Sequence, residues 1–163
     1  MEGGASIFVD SLYAAERMRA ENPSDFTLLT RTLVPFHYIN DGHHLHFEHP
    51  TIQLAVDGET ISQINYSPPF QAPLLVSTPP GFYSALRKFT EYVNDPENTY
   101  TYTLKEGDAV IFDNRRVLHA RTAFNAIPGT EDGGANRWLK GCYIEGDALW
   151  DRGRILRGQT TNA

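Results

Sequence analysis

Glu106-Gly107-Asp108-Ala109-Val110-Ile111-Phe112-Asp113-Asn114-Arg115-Arg116-Val117-Leu118-His119-Ala120-Arg121-Thr122-Ala123-Phe124 is the stretch on which the reading of this chain turns. Gly107-Asp108 marks a tight turn and Ala109 to Phe112 an apolar run of strand length, expected to be buried. Asp113-Asn114 marks a second turn, after which Val117 opens a strand that carries His119 into an apolar setting. Arg115 and Arg116 precede the histidine, Arg121 follows it, and Arg137 arrives just after a Gly/Pro/Asp-rich loop at 125–136.

Working outward, Thr99 to Leu104 alternates β-branched and aromatic residues like an edge strand, and Lys105 to Asp108 turns it into the central stretch. Downstream, Arg137 to Ile144 reads as a last strand and Ala148 to Leu156 as a short amphipathic helix. Upstream, the pattern reads as helical from Ser6, with Asp10 as N-cap and Leu12, Tyr13, Ala15 and Met18 as its apolar stripe. Asn22-Pro23-Ser24-Asp25 ends that helix and starts another, whose buried side is Phe26, Leu28 and Leu29. Leu33 to Tyr38 is extended chain.

The histidine-rich run His43 to Pro50 alternates with period two, Leu45 and Phe47 on one face and His44, His46 and Glu48 on the other. Ile52, Leu54 and Val56 continue as a strand, Asp57-Gly58 makes a hairpin turn, and Ile61 to Tyr66 returns. After a proline-punctuated loop from Ser67 to Pro80, Phe82, Leu86, Phe89 and Val93 recur at helical spacing until Asn94-Asp95-Pro96 stops the helix. Short strands with helices before and between them indicate α+β, a partial double-sheet jelly roll with flanking helices. No repeat or linker divides the chain.

The 163 residues suffice for one domain, and 40% hydrophobic with 21% charged residues is ordinary globular composition. Net charge is −6 and the basic residues form no continuous face, which argues against a nucleic-acid partner. The single cysteine, Cys142, excludes an intrachain disulfide and a Cys-based zinc site. No apolar run reaches membrane-span length, and Met1 to Ala5 has neither a basic nor an Arg-rich leader pattern. A soluble cytoplasmic protein without membrane contact is the expectation.

Several residue types carry chemistry. A histidine on a strand is often a core residue bonded to backbone; the functional reading of His119 is a neutral imidazole ligand in a two-His-one-carboxylate facial triad. Arg137 is either a surface ion-pair partner or a planar fork that takes a carboxylate through two parallel bonds. His46-Phe47-Glu48 has the His-x-carboxylate spacing of a triad pair, against which stands a solvated strand face. Asp113 reads as a turn former bonded to nearby amides, and Cys142 as a small buried residue. No order of Ser, His and Asp suggests a hydrolase.

Glu106 to Phe124, then Asn136-Arg137-Trp138-Leu139-Lys140-Gly141-Cys142-Tyr143, then Arg152-Gly153-Arg154-Ile155-Leu156-Arg157, together resemble the C-terminal part of the γ-butyrobetaine and trimethyllysine dioxygenases. These are taurine-dioxygenase-like Fe(II)/2-oxoglutarate oxygenases. The segment from Gly4 to Met18, Asn22-Pro23, and Phe82 to Phe89 are similar to the family as well. The resemblance implies that residues 1–163 are the C-terminal portion of a single catalytic domain. It implies His119 as the last iron ligand, Arg137 as the anchor for the far carboxylate of 2-oxoglutarate, and Tyr143 as an aromatic facing a trimethylammonium group. Fe(II) and 2-oxoglutarate are the implied cofactors, ascorbate an accessory reductant it allows, and a small cationic molecule related to carnitine synthesis the implied partner.

The chain departs from the family at Ser67, where a substrate-touching asparagine is expected nearby, at Arg115, which replaces a tryptophan, and in a longer 125–136 loop. The family's His-x-Asp pair stands upstream of the segment that Gly3-Gly4-Ala5 resembles, so the other expectation is a catalytically incomplete fragment, at most a binding or dimerising module. A homodimer and a mitochondrial location are left open.

Overall fold

The computed structural model describes residues 4–123 and 139–160, the last two of these as backbone only. The chain divides into two compact units, Glu2–Phe124 and the segment from Asn125 onward. In the second unit the described regular element is one helix, Gly146–Thr160 (designated α4). It contains the expected Ala148 to Leu156 helix and runs beyond both its ends. Residues 139–144, expected to complete a strand, have no regular structure and are exposed, and the start of that expected strand lies outside the described residues.

The first unit begins with a strand, β1 (Ser6–Asp10), where a helix was expected to start. Helix α1 (Ser11–Glu21) starts only after Asp10, whose side chain accepts a hydrogen bond from the Tyr13 amide at 3.2 Å, so the expected cap residue is right. Ile7-Phe8-Val9 is β-branched and aromatic, and it is flanked by two partners: β6 (Thr99–Tyr102) on one edge and β7 (Val117–Arg121) on the other, both antiparallel. Cross-strand pairing outweighs the helical continuity of the pattern. The buried side of α1 is Ser11, Ala14, Ala15 and Met18, while Tyr13 is exposed.

Helix α2 (Pro23–Arg31) follows directly, with proline in its first turn, where the missing N–H costs no helical bond. It buries Phe26 and Leu29. Helix α3 (Phe82–Val93) buries Phe82, Ala85, Phe89 and Val93 on its apolar face. These three helices pack on one another, and Val9, Val34, Ile52, Ile61 and Ile64 from the strands join the same core. Polar ties hold the helix ends: Lys88 Nζ donates to Asn22 Oδ1 at 2.8 Å and Asp25 Oδ2 at 2.9 Å, and Arg17 donates to Asp95 at 2.6 Å.

Two hairpins complete the unit. β2 (Leu33–Asn40) pairs with β3 (His43–Pro50), and β4 (Ile52–Leu54) with β5 (Ile61–Ile64). Val56, expected in the strand, is fully exposed beyond its end. The Asp57 side chain accepts from the Glu59 and Thr60 amides, both at 2.9 Å, and builds the expected turn. The architecture is α+β with antiparallel sheets, the three-stranded one ordered β6-β1-β7.

The run Ala109 to Phe112 is neither a strand nor buried: Ile111 is 86% exposed and Val110 43%. Among the described residues no strand lies beside it to take its backbone groups, and a strand without a partner has no ladder.

Candidate functional site

The site is built around β7. Asp113 prepares the strand: its side chain accepts from the Arg115 amide at 2.9 Å, and its carbonyl from Arg116 N at 3.0 Å and Val117 N at 2.8 Å. This is the turn-forming role that the Asp-Asn pair suggests. Arg116 then fastens the strand's beginning to α1. Its carbonyl accepts from the Ser11 amide at 3.0 Å and the Ser11 hydroxyl at 2.5 Å, while its guanidinium meets the Asp10 carboxylate at 2.5 Å. At the far end Thr122 N donates to Ala5 O at 2.9 Å, and Gly4 N to Ala123 O at 2.9 Å.

Between these fastenings Phe8 pairs with His119 and Val9 with Leu118. Pleating sends Val9 and Leu118 toward the helical core and Phe8 and His119 to the opposite face. The His119 ring lies 5.1 Å from the Phe112 ring, which in turn meets Phe8 edge-on at 5.6 Å. His119 is exposed, although the Phe112 ring lies against it. The expected apolar setting is thus present on the side of Phe112, while the ring stays exposed.

Next to the histidine the same face forms an open groove of about 520 Å³ walled by Phe8, Tyr100, Tyr102, Val110 and Phe112. Asp108 stands at its edge. The Lys105 amide at 2.8 Å and the Tyr102 hydroxyl at 2.9 Å both donate to the Asp108 carboxylate, and these bonds hold its pKa below the usual carboxylate value. The same bond to Asp108 pushes the Tyr102 phenol up. The groove therefore presents aromatic surface and one ionised carboxylate at neutral pH.

Arg137 lies outside the described residues. Tyr143 belongs to the second unit and is 89% exposed. Cys142 is exposed rather than buried, since residues 139–144 pair with no strand among the described residues. His46 and Glu48 sit on β3, in a different sheet from His119, and both are exposed, the solvated strand face weighed against a triad. Among the described residues no three His, Cys, Asp or Glu side chains converge as a metal-binding group. Phe8, the cross-strand neighbour of His119, escapes a sequence reading that starts the helix at Ser6. The alternation of Tyr100 and Tyr102 is the visible signal for the groove wall.

A family model described as "Taurine catabolism dioxygenase TauD, TfdA family" matches residues 1–143. "Dioxygenase str8" of Strobilurus tenacellus is 62% identical over 159 residues, 96% of this chain and 37% of that protein. The gamma-butyrobetaine dioxygenase of Homo sapiens is 32% identical over 168 residues, covering 98% of this chain and 41% of its own length. "Trimethyllysine dioxygenase, mitochondrial" of Homo sapiens is 29% identical over 163 residues, 94% of this chain and 36% of that protein. The chain thus spans somewhat over a third of the length of the curated relatives it matches. Among solved structures, a putative alpha-ketoglutarate dependent 2,4-D dioxygenase from Burkholderia xenovorans aligns at TM-score 0.50 and 16% identity, covering 74% of this chain and 50% of that one.

Proposed function

From the membership of this chain in the TauD, TfdA family of dioxygenases, we propose that the whole protein is an Fe(II)- and 2-oxoglutarate-dependent dioxygenase in which His119 is one iron donor and Arg137 anchors the cosubstrate. The observation that carries the reading is His119 itself. It stands on a strand fastened at both ends, exposed on the face away from the helical core, with its ring beside Phe112. A double-sheet jelly roll, of which β6-β1-β7 is one part, is the architecture proposed for the complete domain. Residues 1–163 are then the C-terminal portion of that single domain. Overall, one oxygen atom of O₂ enters an aliphatic C–H bond of the substrate as hydroxyl. The other enters succinate as 2-oxoglutarate loses CO₂.

The proposed substrate class is a small quaternary-ammonium amino acid, with Tyr143 facing its cationic end. Relatives named for γ-butyrobetaine and trimethyllysine support it. So does the aromatic groove with an ionised Asp108 at its edge, since ring faces and a carboxylate attract a desolvated cation. Among the described residues no helix is long and apolar enough to cross a membrane, in keeping with a proposed cytoplasmic or mitochondrial setting. A second reading, that these 163 residues alone turn nothing over, is favoured by the absence of a three-donor group among those described. One experiment serves both: succinate formation with Fe(II), 2-oxoglutarate and a panel of trimethylammonium acids. Full-length protein should turn over one of the panel and lose that on His119→Ala, and the 163-residue chain should not turn over. Undiminished succinate formation by the full-length variant would overturn the ligand assignment.

A further inference from the structure

The β2–β3 hairpin carries most of the chain's histidines, and the function proposed above uses none of them. Its pairing runs without a slip from Leu33↔Pro50 to Asn40↔His43. Asp41 and Gly42 close it with φ of 52° and 77°, the two left-handed residues of a type I′ turn. Such a turn makes the flanking pair, Asn40 and His43, a hydrogen-bonded one, and the pairs alternate from there. Counting back, His37↔His46 is a non-hydrogen-bonded pair.

Pro35 gives the same parity independently. It has no N–H to give to β3, and its carbonyl accepts from the Ala72 amide at 2.9 Å, on the edge where Phe36 bridges Gln71. Pro35↔Glu48 is therefore non-hydrogen-bonded, and His37 lies two residues further along the same face. In such pairs the Cα atoms approach to about 4.5 Å, closer than in the hydrogen-bonded kind. The side chains of His37 and His46 thus leave one face from adjoining roots. His44 and Glu48 take the diagonal positions on that face. His43 and His49 belong to the opposite face, where the His49 ring lies 4.5 Å from that of Phe47.

We propose that His37 and His46 form a cross-strand chelate for a borderline divalent transition-metal ion, with nickel, copper and zinc as its chemical class. Neutral imidazole suits these ions, and a fixed register presents both nitrogens together, so the second donor binds at high effective concentration. Because no three donors converge among the described residues, water would complete the coordination of the ion. His46 is exposed and His37 partly so, which leaves an ion free access. The site is independent of the oxygenase reading, since His119 lies in another sheet.

The test is isothermal titration of the 163-residue chain with nickel or zinc chloride alone, with far-UV circular dichroism to verify that each variant keeps its fold. One ion per chain is expected. His37→Gln and His46→Gln should each weaken binding by about tenfold or more, because either change leaves a single donor without its chelate partner. His43→Gln and His49→Gln should leave affinity within about twofold, since sites without shared partners act independently. No saturable binding, or an equal loss from the opposite-face variants, overturns the proposal. As a readout independent of affinity, zinc should shift the imidazole proton resonances of His37 and His46 and not those of His43 and His49. Shifts confined to His43 and His49 contradict it.

Discussion

Asp10 and Arg116 are joined across the first unit by a two-pronged ion pair: Arg116 Nε donates to both carboxylate oxygens, at 3.1 and 3.2 Å, and a terminal guanidinium nitrogen to Oδ2 at 2.5 Å. The same carboxylate caps α1 through the Tyr13 amide. One side chain thus sets both where the first helix begins and where the His119 strand starts. Asp10→Ala removes the cap, worth about 0.5–2 kcal/mol, and an exposed ion pair worth about 0–1 kcal/mol. Arg116→Ala removes only the pair. In urea denaturation Asp10→Ala is expected to lower the midpoint clearly more than Arg116→Ala; equal shifts would show that the cap contributes nothing.

Acid should unfold the first unit through a small set of carboxylates. Burial raises the Asp10 carboxyl, but the Arg116 hydrogen bond, the Tyr13 and Leu12 amides and the Arg116 charge outweigh it, and the net shift is downward. Arg17 lowers Asp95, and the Thr60 hydroxyl with the Glu59 and Thr60 amides lowers Asp57. A folded-state pKa below the unfolded value of about 3.9 contributes stability that is present above that value. It is lost as pH falls through the folded pKa. Stability is therefore expected to be flat near neutrality with respect to these groups and to fall below about pH 4. Asp95→Asn should reduce that acid slope in denaturation curves taken at successive pH values. A slope unchanged by the substitution would remove Asp95 from the set.

Phe89 lies at the centre of the helical packing, fully buried, with the Tyr66 ring edge-on at 5.9 Å. Phe89→Ala opens a cavity that neighbouring helices fill only in part, at a cost of about 3–5 kcal/mol. That is a large share of the 5–15 kcal/mol or so that typically stabilises a domain. Calorimetry is expected to show a large fall in Tm or loss of the transition. By contrast Tyr83→Ala, 63% exposed on the same helix, should move it little. A Tm loss of similar size from Tyr83→Ala would mean that the apolar face of α3 has been misassigned.

The helical part of this fold is legible in the sequence because its signals are local. Asp10 caps where a cap residue is expected, Pro23 opens α2, and Phe82, Phe89 and Val93 face inward at the spacing the chain announces. What the sequence conceals is pairing. Ser6–Asp10 is a strand only because Thr99–Tyr102 and Val117–Arg121, about a hundred residues on, lie against it. The converse holds for Val110 and Ile111, whose composition suits a strand but which have no strand beside them among the described residues. At the candidate site, the position of His119 on a strand is legible, and so is the turn at Asp113. The Phe8–Phe112–His119 ring contacts are not, since Phe8 reaches the other two only through strand pairing with a segment about a hundred residues on. The parity of His37 and His46 becomes readable only when the Asp41-Gly42 turn is recognised.

Phe112 makes a last case, because its ring contacts replace the ladder its segment lacks. Residues 109–112 have no strand pairing, yet Phe112 meets Phe8 at 5.6 Å and His119 at 5.1 Å. An aromatic pair is worth roughly 0.5–1.5 kcal/mol beyond its burial. That is too little to fold a domain and enough to keep a short segment on a sheet. Phe112→Ala is therefore expected to leave global stability within about 1–2 kcal/mol while speeding amide exchange at 109–112. Ile111→Ala, at a side chain 86% exposed, should change neither stability nor exchange. In the whole protein the same loosening should reach β7, because His119 loses the ring against which it rests. Exchange at 109–112 as slow in Phe112→Ala as in the wild type would mean that backbone turns, and not the ring contacts, hold this side of the site.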